Sequence, residues 1–158
     1  MNLTRQFIFC STILLLLSSC KNFPKDPSHT LEKVKNGTLL VGYSENPPFV
    51  IKTSHEPTGL EADLVKAFAN TLNARLEWRN DTEARLFESL KKKEIHLVIA
   101  GITKDTPWQD KAGITRPYLE TKDKKYVMAL QLGENAFLIE LEKFLEAHKE
   151  QIEKKASL

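Results

Sequence analysis

The spacing of apolar positions changes character several times between Thr38 and Leu145. Short runs at 38–42, 75–79 and 96–100 read as strands, and between them the stretches 59–72 and 82–93 repeat their apolar residues at helical spacing. In the first of these, Leu60, Leu64, Ala67, Phe68 and Leu72 share one face, with Glu61, Lys66 and Asn70 turned elsewhere. In the second the face is Leu86, Phe87 and Leu90. Alternating strands and helices of these lengths predict two right-handed crossovers between parallel neighbours. The fold class expected is therefore α/β: an open, mostly parallel sheet with flanking helices. Leu119 to Lys124 reads as a polar link and 125–130 as a further strand. A final helix after Gly133 sets Phe137, Leu138, Leu141, Phe144 and Leu145 on one face and leaves Glu150 and Lys154 exposed.

The N-terminus has a separate logic. Arg5 supplies positive charge, Phe7 to Leu17 is mostly apolar yet short for a membrane span, and Ser18-Ser19-Cys20 closes the run. Residues 1–20 read as an export signal, and Leu17-Ser18-Ser19-Cys20 looks like a bacterial lipobox, in which the cysteine is lipidated and becomes the new N-terminus. A transmembrane anchor, or an ordinary signal with an incidental cysteine, is the alternative. Cys10 would leave with the signal, so Cys20 alone would be retained and a disulfide framework is excluded. Residues 21–29, polar and carrying Pro24 and Pro27, read as a flexible tether, and 30–158 as one domain with enough chain for an ordinary core.

The formal charge of +2 is spread over interleaved acids and bases, which gives no reason to expect nucleic acid as a partner. The Lys91-Lys92-Lys93 run ends a predicted helix, where it suits the helix dipole and reads as a solvated face. Glu61 and Asp63 fall in a first helical turn, where carboxylates are expected for the same reason, and residues two apart do not share a face. The four histidines, at 29, 55, 96 and 148, lack metal-ligand spacing, and there is no Ser/His/Asp set or phosphate loop. A protein that binds without chemistry, cofactor or metal is the expectation.

In open α/β sheets ligands sit outside the carboxyl ends of strands. Two polar loops fall at such ends. After 38–42 comes Tyr43-Ser44-Glu45-Asn46-Pro47-Pro48-Phe49, and after 96–100 comes Gly101-Ile102-Thr103-Lys104-Asp105. Pro47-Pro48 stiffens the first loop, so Ser44 and Glu45 can present polar groups at small entropic cost, with Tyr43 and Phe49 as an apolar wall. Gly101 allows close approach to the backbone, and the Thr103 hydroxyl can donate or accept.

These two loops, with Gly59-Leu60-Glu61-Ala62-Asp63-Leu64 between them and Arg116-Pro117-Tyr118 after, resemble the family 3 extracellular solute-binding proteins, which serve bacterial uptake of polar amino acids. The resemblance implies one lobe of a type II periplasmic-binding-protein fold. It also implies that the backbone at Gly101 and the hydroxyl of Thr103 hold a ligand's α-carboxylate, and that an acidic residue in the first loop, Glu45 or in another register Ser44's position, faces its amino group. The family's carboxylate-gripping arginine is replaced here by Trp108, whose indole either stacks on a ligand or packs against the lobe; Arg116 either restores the charge or is solvated. The family's second lobe, expected between about 118 and 125, is missing. The resulting picture is a lipid-anchored lobe at the extracytoplasmic face of the envelope, binding a small polar or aromatic, amino-acid-like solute for ABC-type transport or sensing. Its partners would be that solute, the membrane through Cys20, and an ABC permease or another envelope protein. The alternative is a lobe that has lost its ligand and docks on a membrane protein.

Overall fold

The computed structural model describes residues 25–157; the predicted signal, with Cys10 and Cys20, lies outside them. Helix α1 (Thr30–Val34) leads into β1 (Thr38–Tyr43), followed by α2 (Leu60–Thr71), β2 (Arg75–Asn80), α3 (Glu83–Lys91) and β3 (Leu97–Thr103). Short strands β4 (Gly113–Ile114) and β5 (Leu119–Glu120), then β6 (Lys125–Leu130), α4 (Asn135–Ala147) and α5 (Lys149–Ala156), complete the chain. The sheet order is β2-β1-β3-β6-β4, with β5 also on β6.

The three strands joined by helices are parallel, as their crossovers require: Thr38 lies opposite Arg75, and Val41 opposite Leu97. β6 is antiparallel to β3, pairing Leu97 with Leu130 and Thr103 with Tyr126, so the sheet as a whole is mixed. No helix precedes β6. It is reached through a hairpin from β5, closed by the Thr121 amide donating to Lys124 O at 2.8 Å and flanked by a Lys125–Glu120 ion pair of 3.1 Å. The polar link of the sequence reading is this hairpin, and at this place the chain turns back rather than entering another lobe.

β3 and β6 are buried along most of their length because helices cover both faces of the sheet. Alternate residues divide between two cores. Leu97, Ile99, Met128 and Leu130 join Leu39, Val41, Phe68, Phe137 and Leu141 under α2 and α4. Val98, Ala100, Ile102, Val127 and Ala129 join Leu86, Phe87 and Leu90 of α3. The edge strand β2 exposes Arg75, Glu77 and Arg79, charges that blunt a free sheet edge.

Three elements depart from expectation. The single last helix is two, broken at His148, whose ring tilts over Phe144 at 4.1 Å. The break turns α5 back so that Ile152 is buried and Lys155 reaches Asp63 of α2 at 3.1 Å. Glu61, expected to face away from the sheet, is fully buried. Finally, residues 25–29, assigned to the tether from composition, are bound to the domain. The Asp26 carboxylate accepts the Leu31 amide at 2.8 Å through Oδ2, and the Ala136 and Phe137 amides at 3.0 and 3.2 Å through Oδ1, capping α4 from a distant part of the chain. Ser28 and Thr30 amides donate to Glu134 at 2.8 and 3.2 Å. A segment with little apolar content is held by its carboxylate and backbone instead.

Replacing Asp26 by alanine is expected to lower the unfolding free energy by about 1–2 kcal/mol, as loss of a helix cap does. Urea titration of the chain beginning at residue 21 measures it; a value unchanged by the substitution would return the segment to a free tether.

Candidate functional site

The β1 and β3 loops meet at one end of the sheet. β1 extends its pairing beyond Tyr43, the Ser44 amide donating to Ile99 O at 3.2 Å. Asn46 then turns the loop: its amide donates to Val50 O at 2.9 Å, and its side-chain Nδ2 donates to Ala100 O at 2.8 Å, fastening the first loop to β3. Glu45 lies exposed at the rim, with Oε1 accepting from the Lys52 amide at 3.3 Å. Phe49 is half-buried and packs on Tyr126 at 4.3 Å between ring centroids.

Gly101 is what this packing requires. Its φ of 61° lies in the left-handed region, and a Cβ there would come within 2.6 Å of Asn46 Nδ2 and 2.8 Å of the Phe49 ring. The β3–β6 register shifts between Val98 and Ile102, so the chain bulges at Gly101 and its amide leaves the ladder. That amide donates to Glu61 Oε2 at 2.8 Å, while the Tyr118 hydroxyl donates to Glu61 Oε1 at 2.6 Å. Burial lifts the Glu61 carboxyl to about 7, against the hydrogen bonds from Tyr118, Gly101 and Ala100 that favour its ionised form. The same burial, with the neighbouring Glu61 charge, pushes the Tyr118 phenol well above its ordinary value. The Gly101 amide is thus already spoken for, and its expected role as a donor to a ligand carboxylate is filled by Glu61.

Thr103 ends β3, half-buried, and its side chain hydrogen-bonds Asp105, which holds that exposed carboxyl below the usual range. Asp105 was not singled out from sequence, although it stands two residues from Thr103. Beside these loops a groove of about 500 Å³ runs between Pro48, Phe49, Leu60, Leu119 and Tyr126, with the Asp63–Lys155 ion pair at its edge.

Ser44, Glu45, Phe49, Gly101 and Thr103 therefore belong to one end of the sheet. Two predicted contacts do not. Tyr43 is 5% exposed and meets Trp78 edge-on at 6.1 Å, so it is core. Trp108 stacks on Phe87 at 5.1 Å and 14°, donates Nε1–H to Glu83 at 2.9 Å, and has Lys111 Nζ 5.0 Å from its ring centre. Of its two readings, packing against the lobe is the one adopted, because a neighbouring aromatic ring already covers its face. Nor does Arg116 restore the lost cation: its backbone amide and Nε donate to Glu142 on α4 at 2.7 and 2.9 Å. His96, at the foot of β3, accepts the Leu40 amide on Nδ1 at 3.1 Å, and burial holds its imidazole below the usual value. It is a packing group. Among the described residues, no three His, Cys, Asp or Glu side chains are grouped to hold a metal ion.

A mixed open sheet with helices on both faces, and polar loops where parallel strands end, is one lobe of a type II periplasmic binding protein. The chain belongs to the bacterial extracellular solute-binding proteins, family 3, whose family model matches residues 39–155. The arginine-bound form of domain 1 from TmArgBP is similar at 28% identity and a TM-score of 0.66, over 73% of this chain and 97% of that one. An ancestral cationic amino acid solute-binding protein has a TM-score of 0.66 at 18% identity, over 77% and 94%. Among curated proteins, the membrane-bound lytic murein transglycosylase F of Pseudomonas putida is 33% identical over 118 residues, 73% of this chain and 24% of that protein. That of Aliivibrio fischeri is 35% identical over 95 residues, 59% and 19%. The chain thus spans about a fifth to a quarter of these relatives' length.

Glu61 makes stability depend on pH in a defined direction. Its native pKa of about 7 exceeds the ordinary 4.5 of a glutamate, so between those values the native state holds a proton that the unfolded chain releases. The contribution is fully present below the window and is lost as pH rises through it, amounting to about 3 kcal/mol. His96, held low, titrates in the opposite sense in the same range. The measurement is therefore a comparison of denaturation free energies of the natural chain and Glu61→Gln from pH 5 to 7.5. The variant is expected to gain on the natural chain as pH rises; parallel curves would show Glu61 ionised throughout.

Proposed function

We propose that this chain is a solute-binding lobe, lipid-anchored through Cys20 at the extracytoplasmic face of the envelope, which binds a small amine- or guanidinium-bearing, amino-acid-like solute without chemistry. The observation that carries the reading is the sheet end where Asn46 fastens the two loops together: the Glu45 and Asp105 carboxylates are exposed on those loops, and Phe49 of the first loop lines a groove of ligand size. With Trp108 in the arginine's place and Arg116 held by Glu142, neither of these side chains grips a carboxylate, while the exposed Glu45 carboxylate is placed to face an ammonium or guanidinium group. The similarity to an isolated, arginine-bound domain supports a lobe that can hold a cationic amino acid by itself. A solute held on one lobe stays partly wet, so modest affinity is expected.

Sensing is favoured over delivery to a permease. The hairpin at Thr121–Lys124 leaves no opposite lobe, among the described residues, to close on the solute, and the curated relatives are envelope enzymes in which the matching stretch is a minor part. The second reading is a module that has lost its ligand and docks on an envelope protein; the commitment of Trp108 to α3 favours it to the extent that it removes a ligand contact.

Thermal unfolding of residues 21–158 against millimolar arginine, other amino acids, simple amines and aromatic acids separates the two. Binding near 10 μM adds about 2.7 kcal/mol at 1 mM ligand, a clear rise in midpoint. The rise is expected with arginine-like and amine solutes, and is expected to vanish in Glu45→Ala/Thr103→Ala with the ligand-free midpoint nearly unchanged. A ligand response retained in that double variant would remove the site assignment, and indifference to every solute would favour the docking module.

A further inference from the structure

The opposite end of the sheet carries a second surface. There α3 runs out into Lys91-Lys92-Lys93, β6 runs out into Gln131-Leu132-Gly133, and the segment before β4 brings in Asp110 and Lys111. Lys91, Lys93, Lys111 and Leu132 line one groove of about 350 Å³, whose other walls are Leu90, Asp110 and Gln131. Leu132 is 63% exposed, well beyond the 39% of Ile51 and 38% of Ile139. The preceding residue anchors it, the Gln131 side chain donating through Nε2 to Ile95 O at 2.8 Å. The three lysines are exposed, and Asp110 is the single acid in the lining. Nearby acids are engaged: Glu94 with Arg79 at 3.1 Å, Glu134 with the Ser28 and Thr30 amides, and Asp26 with the α4 amides.

The N-terminal segment enters the fold at this same end. Lys25 O accepts the Asn135 amide at 3.1 Å, and Lys93 Nζ donates to Ser28 Oγ at 2.6 Å. From Lys25 back to Cys20 the chain can span at most about 18 Å. An acyl chain on Cys20 would therefore hold this end of the domain, and not the loop end, close to a bilayer.

We propose that the Lys91/Lys93/Lys111/Leu132 face docks on an anionic phospholipid surface, with the ammonium groups among the lipid phosphates and Leu132 in the interface. The inference rests on the reading of Cys20 as the lipid-bearing residue, and adds to it an orientation: the Glu45/Asp105 end points away from the membrane. A basic patch held beside a lipid anchor meets anionic headgroups directly and adds an electrostatic contact that fixes the domain's orientation. Each lysine near an anionic surface strengthens binding roughly fivefold, and high salt screens the effect.

The test uses residues 21–158, which contain the whole buried core from Thr30 to Ile152 and carry no lipid. Co-sedimentation with vesicles of phosphatidylcholine plus phosphatidylglycerol is expected, with none on phosphatidylcholine alone and release at high salt. Combined Lys91→Gln, Lys93→Gln and Lys111→Gln is expected to weaken it on the order of a hundredfold. Leu132→Ser is expected to weaken it by a smaller factor, and circular dichroism checks that both variants fold. No binding to the anionic vesicles, equal binding to both vesicle types, or undiminished binding by the triple variant would each overturn the proposal. So would heparin binding as tight as that to vesicles together with indifference to Leu132→Ser, which would point to a soluble polyanion. The anchor itself is read separately, by palmitate labelling of the full chain in a bacterial host and its loss in Cys20→Ala. A lack of labelling would remove the anchor reading while leaving the vesicle result intact.

Discussion

Most of what is particular to the loop end depends on one buried carboxyl group. Glu61 sits in the first turn of α2, accepts the Tyr118 hydroxyl from the segment before β5, and accepts the Gly101 amide from the bulge in β3. A fully buried carboxyl is costly without partners, and these partners come from sequence positions 40 and 57 residues away. The bulge places Gly101 under Asn46 and Phe49, so the shape of the first loop is set by the same contact. Gly59 shares in it: with φ of 105° it lets the Leu60 and Glu61 amides donate to Pro48 O and Phe49 O at 3.2 and 2.9 Å, tying the start of α2 back to the loop. Helix, bulge and loop are thus one cooperative unit, and loosening Glu61 would move all three.

That unit keeps the loop end in order where, among the described residues, no second lobe covers it. In a two-lobed protein the connection after Tyr118 would leave the sheet; here β5 and β6 pair directly and the Thr121–Lys124 turn closes them. Tyr118 at the base of that hairpin is pinned by Glu61, so the closure is fastened to the core. α5 folds over the same edge, and its Lys155–Asp63 pair sits at the rim of the groove beside Phe49. The pair is largely exposed and contributes little stability, but it leaves one cation and one anion beside an apolar slot.

Strand and helix positions were legible because burial on two faces imposes clear periods, and the crossover rule then fixed the parallel part of the sheet. The orientation of β6 was not, since only the hairpin turn decides it and Leu119–Lys124 lacks strong turn chemistry. Glu61 was misread through an assumption about acids: by spacing it falls in line with Val65, Phe68 and Leu72, an inward stripe, but a carboxylate in a first turn is ordinarily explained by the dipole. Asp26 escaped notice for the reverse reason, as it stabilises a helix that begins more than a hundred residues later, and local composition carries no trace of that. That the loop residues Ser44, Glu45, Phe49, Gly101 and Thr103 share one end of the sheet was legible because strand ends follow from strand order. Tyr43 was taken for a loop residue and Trp108 stayed undecided between ligand and lobe, because an aromatic next to a loop looks the same in sequence whether it faces a ligand or a neighbouring ring.

Topology gives the two ends of the sheet different parts of the chain. Parallel strands deliver their carboxyl ends, with the Glu45, Thr103 and Asp105 loops, to one side. The returns from α2 and α3, and the exit of antiparallel β6, deliver Lys93, Leu132 and the N-terminal segment to the other. The Glu45 and Asp105 carboxylates thus share the loop end with lysines, Lys104 and Lys124 among them, while Lys91, Lys93 and Lys111 lie at the end where the chain emerges toward Cys20. The place of a group along the strand axis therefore informs function more than net charge does, and a domain with its N-terminal segment at one end and its polar loops at the other can meet a membrane with the first while leaving the second open to solute.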